Sequence, residues 1–304
     1  MGNYRITGYR PGDEGHILKL FRQAYGRELQ MDAWRWQFLN APYEARRMVN
    51  VWDGGRLVAH TAITVFQAYL DGREKLVAYS GHTMANGEYL GISKLLLSRV
   101  RDSASNLDIL YAFPNQNSFR IFKDILRFVY LGDIYFWFSL PETEAELPAG
   151  IAEISRFEPA HGMLYRALIS SHRFITKRDL VRLNWRVTQK PNSGYRLFEC
   201  RDEGVLKGYM VLNLYLDAGI LQGQIIDIVA PDKRVMDRLL RYAQVHFGRL
   251  GCGAVKLWLP SEHFRGVLAE RGFCPGGRPF PMIISTNCCD IRDFYLTMID
   301  SDVF

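Results

Sequence analysis

A segment from the first half of the chain recurs in the second half, and this repeat limits the folds that the chain can adopt. Residues 34–60 and 183–209 match without a gap at an offset of 149 positions, which is 185 minus 36. The offset superposes Trp36 on Trp185, Pro42 on Pro191, Asp53 on Asp202, and Gly55 on Gly204. Because this period is far longer than that of solenoid repeats, it predicts a duplicated domain with a core in each copy. The alternative is that both segments merely share one order of helix, turn and hairpin.

Composition indicates where the two copies meet. Residues 141–150, PETEAELPAG, are acidic, bounded by prolines and short of large apolar side chains. Such a stretch is typical of a linker. We therefore expect a first domain at 1–140, a linker at 141–150 and a second domain at 151–304. The length of 304 residues suits two domains of about 150 residues each.

Hydrophobic periodicity predicts the same order of elements in both halves. In the first half this order is strand, two helices, three strands, helix, strand, helix and strand, over residues 4–9, 13–26, 34–39, 48–52, 57–66, 75–84, 91–106, 107–113, 116–127 and 132–140. The second half is predicted to begin with helices at 157–171 and 178–187, and to end with a strand at 278–285. Alternation of this kind indicates a mixed sheet covered by helices.

Composition excludes several classes of protein. The net charge of +6 suits an anionic ligand or partner, but there is no lysine-rich tract, so we expect no nucleic-acid partner. The five cysteines are odd in number and show no CxxC spacing, which argues against a disulfide framework or a metal site and favours the reducing cytoplasm. The opening MGNYRITGYRPGDEG lacks the apolar core of a signal peptide, and we expect no membrane span because no run of 18 apolar residues occurs.

The element order, found twice, resembles the GNAT superfamily of acyl-CoA-dependent N-acyltransferases. The segments that resemble its tandem-domain members are YRPGDEGHILKLF, WRWQF, DGGRLVAH, SGHTMA, AFPNQNS, KRDLVRLNWR, DEGVLKGYMVL and GFCPGGRPFPMII. The resemblance implies an α/β fold of two tandem GNAT-like domains, each a mixed, mostly antiparallel sheet flanked by helices. It also implies an N-acyltransferase that moves an acyl group from acyl-CoA, acetyl-CoA or longer, to a primary amine by direct attack in a ternary complex.

In this family one strand splays from its neighbour, and its backbone binds the pantetheine arm and polarises the thioester. The next helix begins with a Gln/Arg-x-x-Gly-x-Gly/Ala loop whose amides hold the pyrophosphate, as helix N-termini do generally. The resemblance therefore places the binding residues at Thr83, Met84, Ala85, Gly91, Ile92, Ser93 and Lys94. Glu88 departs from the motif, because Gln or Arg is usual there. The matching stretch of the second half, 230–236, has no glycine, so its site is predicted to be degenerate.

Amide formation needs a base for the amine and a proton for the departing thiolate. His82, on the predicted donor strand, is the candidate base, with Glu88 as an alternative. The Tyr that the family often uses as the acid is replaced by Phe122, so we consider Tyr111 as a substitute. His60 is interpreted as a strand residue that packs.

Asn115 and Asn117 follow the next strand and are predicted to orient the acceptor, a small-molecule or peptide amine. The sequence leaves three alternatives open. An acidic acyl carrier protein is a second candidate donor. The reaction is alternatively long-chain acylation of a peptide or amino acid in a biosynthetic pathway, or the chain is a catalytically inactive GNAT-fold binding module.

Overall fold

The computed structural model describes residues 4–43, 47–286 and 290–301, apart from the side chains of Leu90, Ser93, Lys94 and Ser103. The chain folds into two compact units, each built from three segments. Unit 1 is formed within residues 1–67, 75–132 and 281–288, and unit 2 within residues 68–74, 133–280 and 289–304.

The helices in the described residues are α1 (Glu14–Tyr25), α2 (Met31–Phe38), α3 (Ser93–Ser103), α4 (Gln116–Arg120), α5 (His161–Leu164), α6 (Leu180–Leu183), α7 (Lys233–Arg249) and α8 (Glu262–Glu270). The strands are β1 (Arg5–Gly8), β2 (Arg47–Asp53), β3 (Arg56–Leu70), β4 (Arg73–Ala85), β5 (Ile109–Ala112), β6 (Val129–Ser139), β7 (Ile151–Ile154), β8 (Phe174–Thr176), β9 (Arg196–Asp202), β10 (Val205–Asp217), β11 (Ile220–Val229), β12 (Ala254–Trp258), β13 (Cys274–Ile284) and β14 (Phe294–Tyr295).

The sheet of unit 1 has the strand order β1-β2-β3-β4-β5-β13. β4 and β5 are parallel, whereas β1 with β2, β2 with β3, and β5 with β13 are antiparallel. The sheet of unit 2 has the order β7-β9-β10-β11-β12-β6, with β11 and β12 as its parallel pair. Each unit is thus a mixed, mostly antiparallel sheet flanked by helices, as predicted.

The last strand of each sheet comes from the other half of the sequence. Residues 281–284 of β13 lie in unit 1, where Ile283 pairs with Ala112, and residues 133–139 of β6 lie in unit 2, where Trp137 pairs with Leu257. The compact units therefore cross the expected boundary at 141–150. The division into linear domains at 1–140 and 151–304 stays a prediction.

Side chains of the unit 1 sheet divide between two helix-covered faces. The face under α1 and α2, called the α1–α2 face below, carries Trp34, Phe38, Met48, Trp52, Leu57, Ala62 and Met84 in one core cluster. The opposite face packs on α3 and on the π-helical turn that follows α4, through Ile63, Val65, Ala78, Leu97, Leu110 and Phe122. Because alternate residues of a strand share a face, Asn50, between Met48 and Trp52 in β2, belongs to the α1–α2 face.

Local signals explain α1 and the hairpin that follows it. α1 buries Ile17, Leu20 and Phe21 at helical spacing and ends at Gly26, whose φ of 67° suits a residue without a Cβ. Strands β2 and β3 meet at the DGG sequence, where Gly54 has a φ of 58°. The predicted helix and hairpin are therefore both present.

The start of the second half differs from the prediction. The expected helix at 157–171 is wrong: only His161–Leu164 is α-helical, followed by a 3-10 turn at Tyr165–Leu168. The short strands β7, β8 and β14 were not predicted. β8 pairs with the end of β3 and with β14, so partners distant in sequence stabilise it and local periodicity does not reveal it.

No helix within the described ranges is both long and apolar enough to cross a membrane. Within the same ranges, no three or more His, Cys, Asp or Glu side chains are grouped so that they could hold a metal ion.

Candidate functional site

The parallel strands β4 and β5 separate before β4 ends. The last pair between them joins Tyr79 and Tyr111. β4 then continues to Ala85, whereas β5 ends at Ala112. One edge of β4 beyond Tyr79 is therefore not covered by β5.

His82 distorts β4 within this separated stretch. Its φ of 50° lies in the left-handed region, which is unfavourable for a residue with a Cβ. The other described non-glycine residues with positive φ lie in turns or just past the end of an element, so His82 differs from them in lying inside a strand. Backbone strain of this kind is concentrated at functional sites.

The ring of His82 lies on the α1–α2 face. Its centroid is 4.8 Å from that of Phe38 and 5.5 Å from that of Phe21, and the side chain is half-buried. Met84 packs in the core cluster of the same face and is buried. The candidate base thus lies under α1 and α2, at the separated end of β4.

The uncovered edge of β4 presents the amides of Thr83 and Ala85. Asn86 donates its amide to the Val58 carbonyl of β3, 2.9 Å away. Backbone groups of successive strand residues point alternately to the two edges, so those of Thr83 and Ala85 point away from β3. The Thr83 carbonyl accepts a hydrogen bond from the Tyr25 hydroxyl at 3.0 Å.

A 3-10 turn at Gly87–Ile92 connects β4 to α3. Asn86 accepts hydrogen bonds from the amides of Glu88 (3.2 Å, to Oδ1) and Tyr89 (2.8 Å, to the carbonyl), so these two amides already have partners. No atom lies within 4 Å of where a Cβ on Gly91 would be, which leaves space for a ligand to approach that backbone. Ile92 is buried, and the side chains of Ser93 and Lys94 lie outside the described part of the structure.

Glu88 forms a surface ion pair. Its carboxylate Oε2 is 3.5 Å from the Arg56 guanidinium Nη1, and its side chain is 73% exposed. This pairing directs the carboxylate toward Arg56, the first residue of β3.

The remaining predicted residues belong to β5 and α4. Tyr111 is fully buried, with ring centroids of Phe66, Tyr79 and Phe113 within 5.9 Å. Asn115 caps α4 by accepting hydrogen bonds from the amides at 117 and 118, both at 3.0 Å, and Asn117 is exposed. These residues and those of β4 all follow or flank the carboxyl ends of the parallel pair, but their roles remain predictions.

A buried polar chain that the sequence did not reveal lies beside His82. Asn50 and His60 are paired across β2 and β3, and both are fully buried. The His60 Nδ1 is 2.7 Å from Asn50 Oδ1, and Asn50 Nδ2 donates to Asp13 Oδ2 at 2.9 Å. Asp13 precedes α1 and also accepts the Arg10 amide at 2.9 Å. The interpretation of His60 as simple strand packing thus misses this chain.

Burial holds His60 neutral. Loss of solvent, the larger cause, and the charge of the neighbouring His82 together lower its pKa from 6.5 to about 3. A pKa this low means that His60 carries no charge at neutral pH.

In unit 2 other residues occupy the positions that correspond to His60 and to the start of α3. The offset of 149 carries His60 to Tyr209, whose hydroxyl donates to Asp227 at 2.9 Å. Asp227 also accepts from Arg178 (3.2 Å) and from Thr297 (2.7 Å), and all four side chains are buried. At the start of α7, Asp232 accepts the Val235 amide at 2.9 Å, so a carboxylate already occupies the helix N-terminus there.

The sequence did contain one signal for the polar chain. Asn50 and His60 interrupt the apolar stretches MVNVW and LVAHTAI, and the DGG turn sets the register that pairs them. Polar residues that face each other in two buried strands require a hydrogen-bond partner.

No protein-family model matches this chain, and no curated protein sequence matches it either. Several solved structures, however, are similar to this chain. A GCN5-related N-acetyltransferase from Anabaena variabilis superposes with a TM-score of 0.71 at 11% identity, over 93% of this chain and 72% of that one. One from Kribbella flavida gives 0.67 at 16% identity, over 93% and 70%. The N-myristoyltransferase of Saccharomyces cerevisiae with bound myristoyl-CoA gives 0.64 at 9% identity, over 93% and 83%.

These similarities show that the chain has the fold of the GCN5-related N-acyltransferases, the GNAT superfamily. The resemblance expected from its sequence is confirmed at the level of fold.

Proposed function

We propose that this protein is an N-acyltransferase that moves an acyl group from acyl-CoA to a primary amine at the separated end of β4 and β5 in unit 1. The observation that carries the proposal is the uncovered edge of β4, where the parallel pairing stops at Tyr79 while the strand continues to Ala85. The fold neighbours include an N-myristoyltransferase with bound myristoyl-CoA, which supports a thioester donor.

The uncovered amides of Thr83 and Ala85 suit a donor that lies along β4. Backbone N–H groups fixed before the reaction stabilise charge that develops on a carbonyl oxygen. The space at Gly91 suits the diphosphate of the donor, because no side chain blocks the backbone there. Unit 2 provides no such space at α7, where Asp232 caps the helix, so we assign the donor site to unit 1.

His82 is the proposed base, because it is half-buried on the α1–α2 face at the distorted part of β4. The transfer forms a C–N amide bond and breaks the C–S thioester bond. One proton leaves the amine nitrogen for the His82 ring, and one proton is returned to the departing sulfur, so that the thiol is released. We do not propose a carrier protein as donor, because no observation in the described residues favours one.

Gly91→Glu tests the donor site. A carboxylate there repels a diphosphate, and the open surroundings accept the larger side chain. The matched control is Gly266→Glu on α8, where a Cβ also meets no atom within 4 Å. Binding of acetyl-, octanoyl- and myristoyl-CoA is measured by calorimetry and thermal stabilisation, and a ligand at about 100 times its Kd adds about 2.7 kcal/mol.

We expect Gly91→Glu to weaken acyl-CoA binding about tenfold or more and Gly266→Glu to leave it unchanged. Equal affinities for the two variants would place the donor elsewhere. Binding without transfer to any of a panel of primary amines would instead favour the binding-module alternative.

A further inference from the structure

The Nε2 atom of His60 is buried and has no hydrogen-bond partner within the described residues. Leaving a buried polar atom unpaired is destabilising, so each such atom in a native protein calls for an explanation such as a catalytic role or a bound water or ion. The strand position superposed on His60 by the repeat is Tyr209, whose hydroxyl is bonded to Asp227. The unpaired atom is thus specific to the unit that carries the proposed site.

The hydrogen bonds of Asn50 fix which nitrogen of His60 carries the proton. An ionised Asp13 only accepts hydrogen bonds, so the Asn50 amide must turn its NH2 group to Asp13 and its Oδ1 to His60. The His60 Nδ1 therefore donates, and Nε2 keeps its lone pair. Because burial lowers the pKa of His60 to about 3, this lone pair persists at neutral pH.

His82 is the neighbour whose charge acts on His60. Residues 13–38, which span α1 and α2 on this face, also carry these charged or titratable side chains: Asp13, Glu14, His16, Lys19, Arg22, Tyr25, Arg27, Glu28, Asp32 and Arg35. Of these, His16 is the other imidazole, and it packs on Trp52 at 5.2 Å between ring centroids. His16 therefore provides a control for an imidazole that is not part of the chain from Asp13 to His60.

We propose that His60 is a positioning residue for His82: its fixed lone pair accepts a hydrogen bond from one water that the His82 ring also binds, which leaves the other His82 nitrogen to take the proton of the amine. This inference rests on the proposed acyl transfer. The hydrogen-bonded side chains of Asp13, Asn50 and His60 would then set the tautomer of the His82 ring and would not accept the proton of the amine themselves. Carboxylates that orient a histidine in other active sites act in the same way.

The proton balance follows from these roles. When His82 takes the amine proton, its ring becomes a cation whose second N–H donates to the water bound at His60 Nε2. His60 stays neutral, because its burial disfavours a charge. The cation is stabilised by this hydrogen bond, so His60 raises the pKa of the base, and the proton passes from His82 to solvent or to the departing thiolate.

The kinetic test compares pH profiles of kcat and kcat/KM for amine acetylation. We expect His60→Leu to lower kcat about 10-fold to 100-fold, to leave the KM for acyl-CoA within about twofold, and to move the acid limb of the profile to lower pH. His60→Gln, which keeps an acceptor near the Nε2 position, recovers part of the loss. His16→Gln leaves rate and profile unchanged.

A second measurement does not depend on turnover. Nitrogen NMR of the 15N-histidine-labelled full-length protein distinguishes a ring nitrogen with a lone pair from a protonated one. We expect His60 to show a protonated Nδ1 and a bare Nε2 from pH 5 to pH 8, and we expect the Nε2 signal to move in His82→Gln but not in His16→Gln.

The outcomes separate the two proposals. If the wild-type protein neither binds nor uses any acyl-CoA, the proposed function and this inference both fail. If it is active while His60→Leu keeps its rate and pH profile, or if the His60 Nε2 is protonated or insensitive to His82→Gln, only the inference is overturned.

Discussion

Units 1 and 2 differ at the corresponding strand edge, which is the end of the first strand of the parallel pair. In unit 1, β4 runs past its parallel partner, and beside it His60 keeps a buried lone pair. In unit 2, the pairing of β11 with β12 ends at Ile225, and beyond it the Ile228 carbonyl accepts the hydroxyl of Tyr295 from the C-terminal segment. One fold thus provides either a strand edge contacted by a partly exposed tyrosine, Tyr25, or one covered by a fully buried tyrosine, Tyr295.

The buried polar groups of the two units also differ in their charge. The network of Arg178, Arg182, Asp227 and Asp300 pairs two cations with two anions, all buried, and Arg178 contacts both carboxylates. A buried charge is tolerated only when it is fully paired. Unit 1 has the uncharged side chains of Asn50 and His60 at the corresponding place, and a buried polar group without a charge costs less to leave incompletely paired.

Breaking the unit 2 network should have the largest effect. Arg178→Met removes one partner and leaves Asp227 and Asp300 buried beside fewer donors, so we expect the free energy of unfolding to fall by about 3–5 kcal/mol. The control is Arg173→Met, which breaks an exposed pair with Asp71 in the same unit and should cost at most about 1 kcal/mol. Urea unfolding measures both, and equal losses would contradict the distinction between the two pairs.

The neutral His60 predicts a pH dependence that arises in unit 1. Its folded pKa of about 3 lies below the ordinary 6.5, so between these values the unfolded chain binds a proton that the folded chain does not. The free energy of unfolding therefore falls as the pH drops below 6.5, by about 3 kcal/mol at pH 4 from this group.

The measurement compares unfolding in urea at pH 7 and pH 4 for the wild-type protein and His60→Gln. The variant should lose much less stability on acidification, although His172 of unit 2, whose pKa burial lowers to about 4, keeps its own contribution. The same loss in both proteins would mean that His60 is solvated or charged in the folded state.

Two tyrosines provide the smallest and most direct comparison of the strand edges. Tyr295 donates to β11 and is fully buried, whereas Tyr25 donates to the Thr83 carbonyl of β4 and is 44% exposed. We expect Tyr295→Phe to lower the free energy of unfolding by about 1 kcal/mol and Tyr25→Phe to change it by less than about 0.5 kcal/mol. If Tyr25→Phe is the more destabilising change, the edge of β4 is held closed by α1 and the comparison fails.

Much of the fold follows from local sequence, and the proposed site follows in part. The apolar spacing of α1, the DGG turn and the repeat at 149 positions predict elements that the structure contains. The candidate donor residues between Thr83 and Lys94 were predicted from their order along the chain, and in the structure Thr83–Ala85 form the separated end of β4. The partners of Asn50 were not predicted, because a hydrogen bond from Asp13 across α1 to β2 depends on how the helix packs.

By itself the sequence determined the class of fold. Hydrophobic periodicity and turn residues specify helices, strands and turns over a few positions, and the repeat shows that the same order of elements occurs twice. Only the tertiary structure decided that β13 completes the sheet of unit 1 and β6 that of unit 2, that a C-terminal tyrosine covers one strand edge, and that a buried histidine keeps a lone pair beside the other. The physical reason is that strand pairing and the hydrogen bonds of buried polar atoms depend on which groups come into contact after folding. The spacing of residues along the chain does not determine contacts between distant segments.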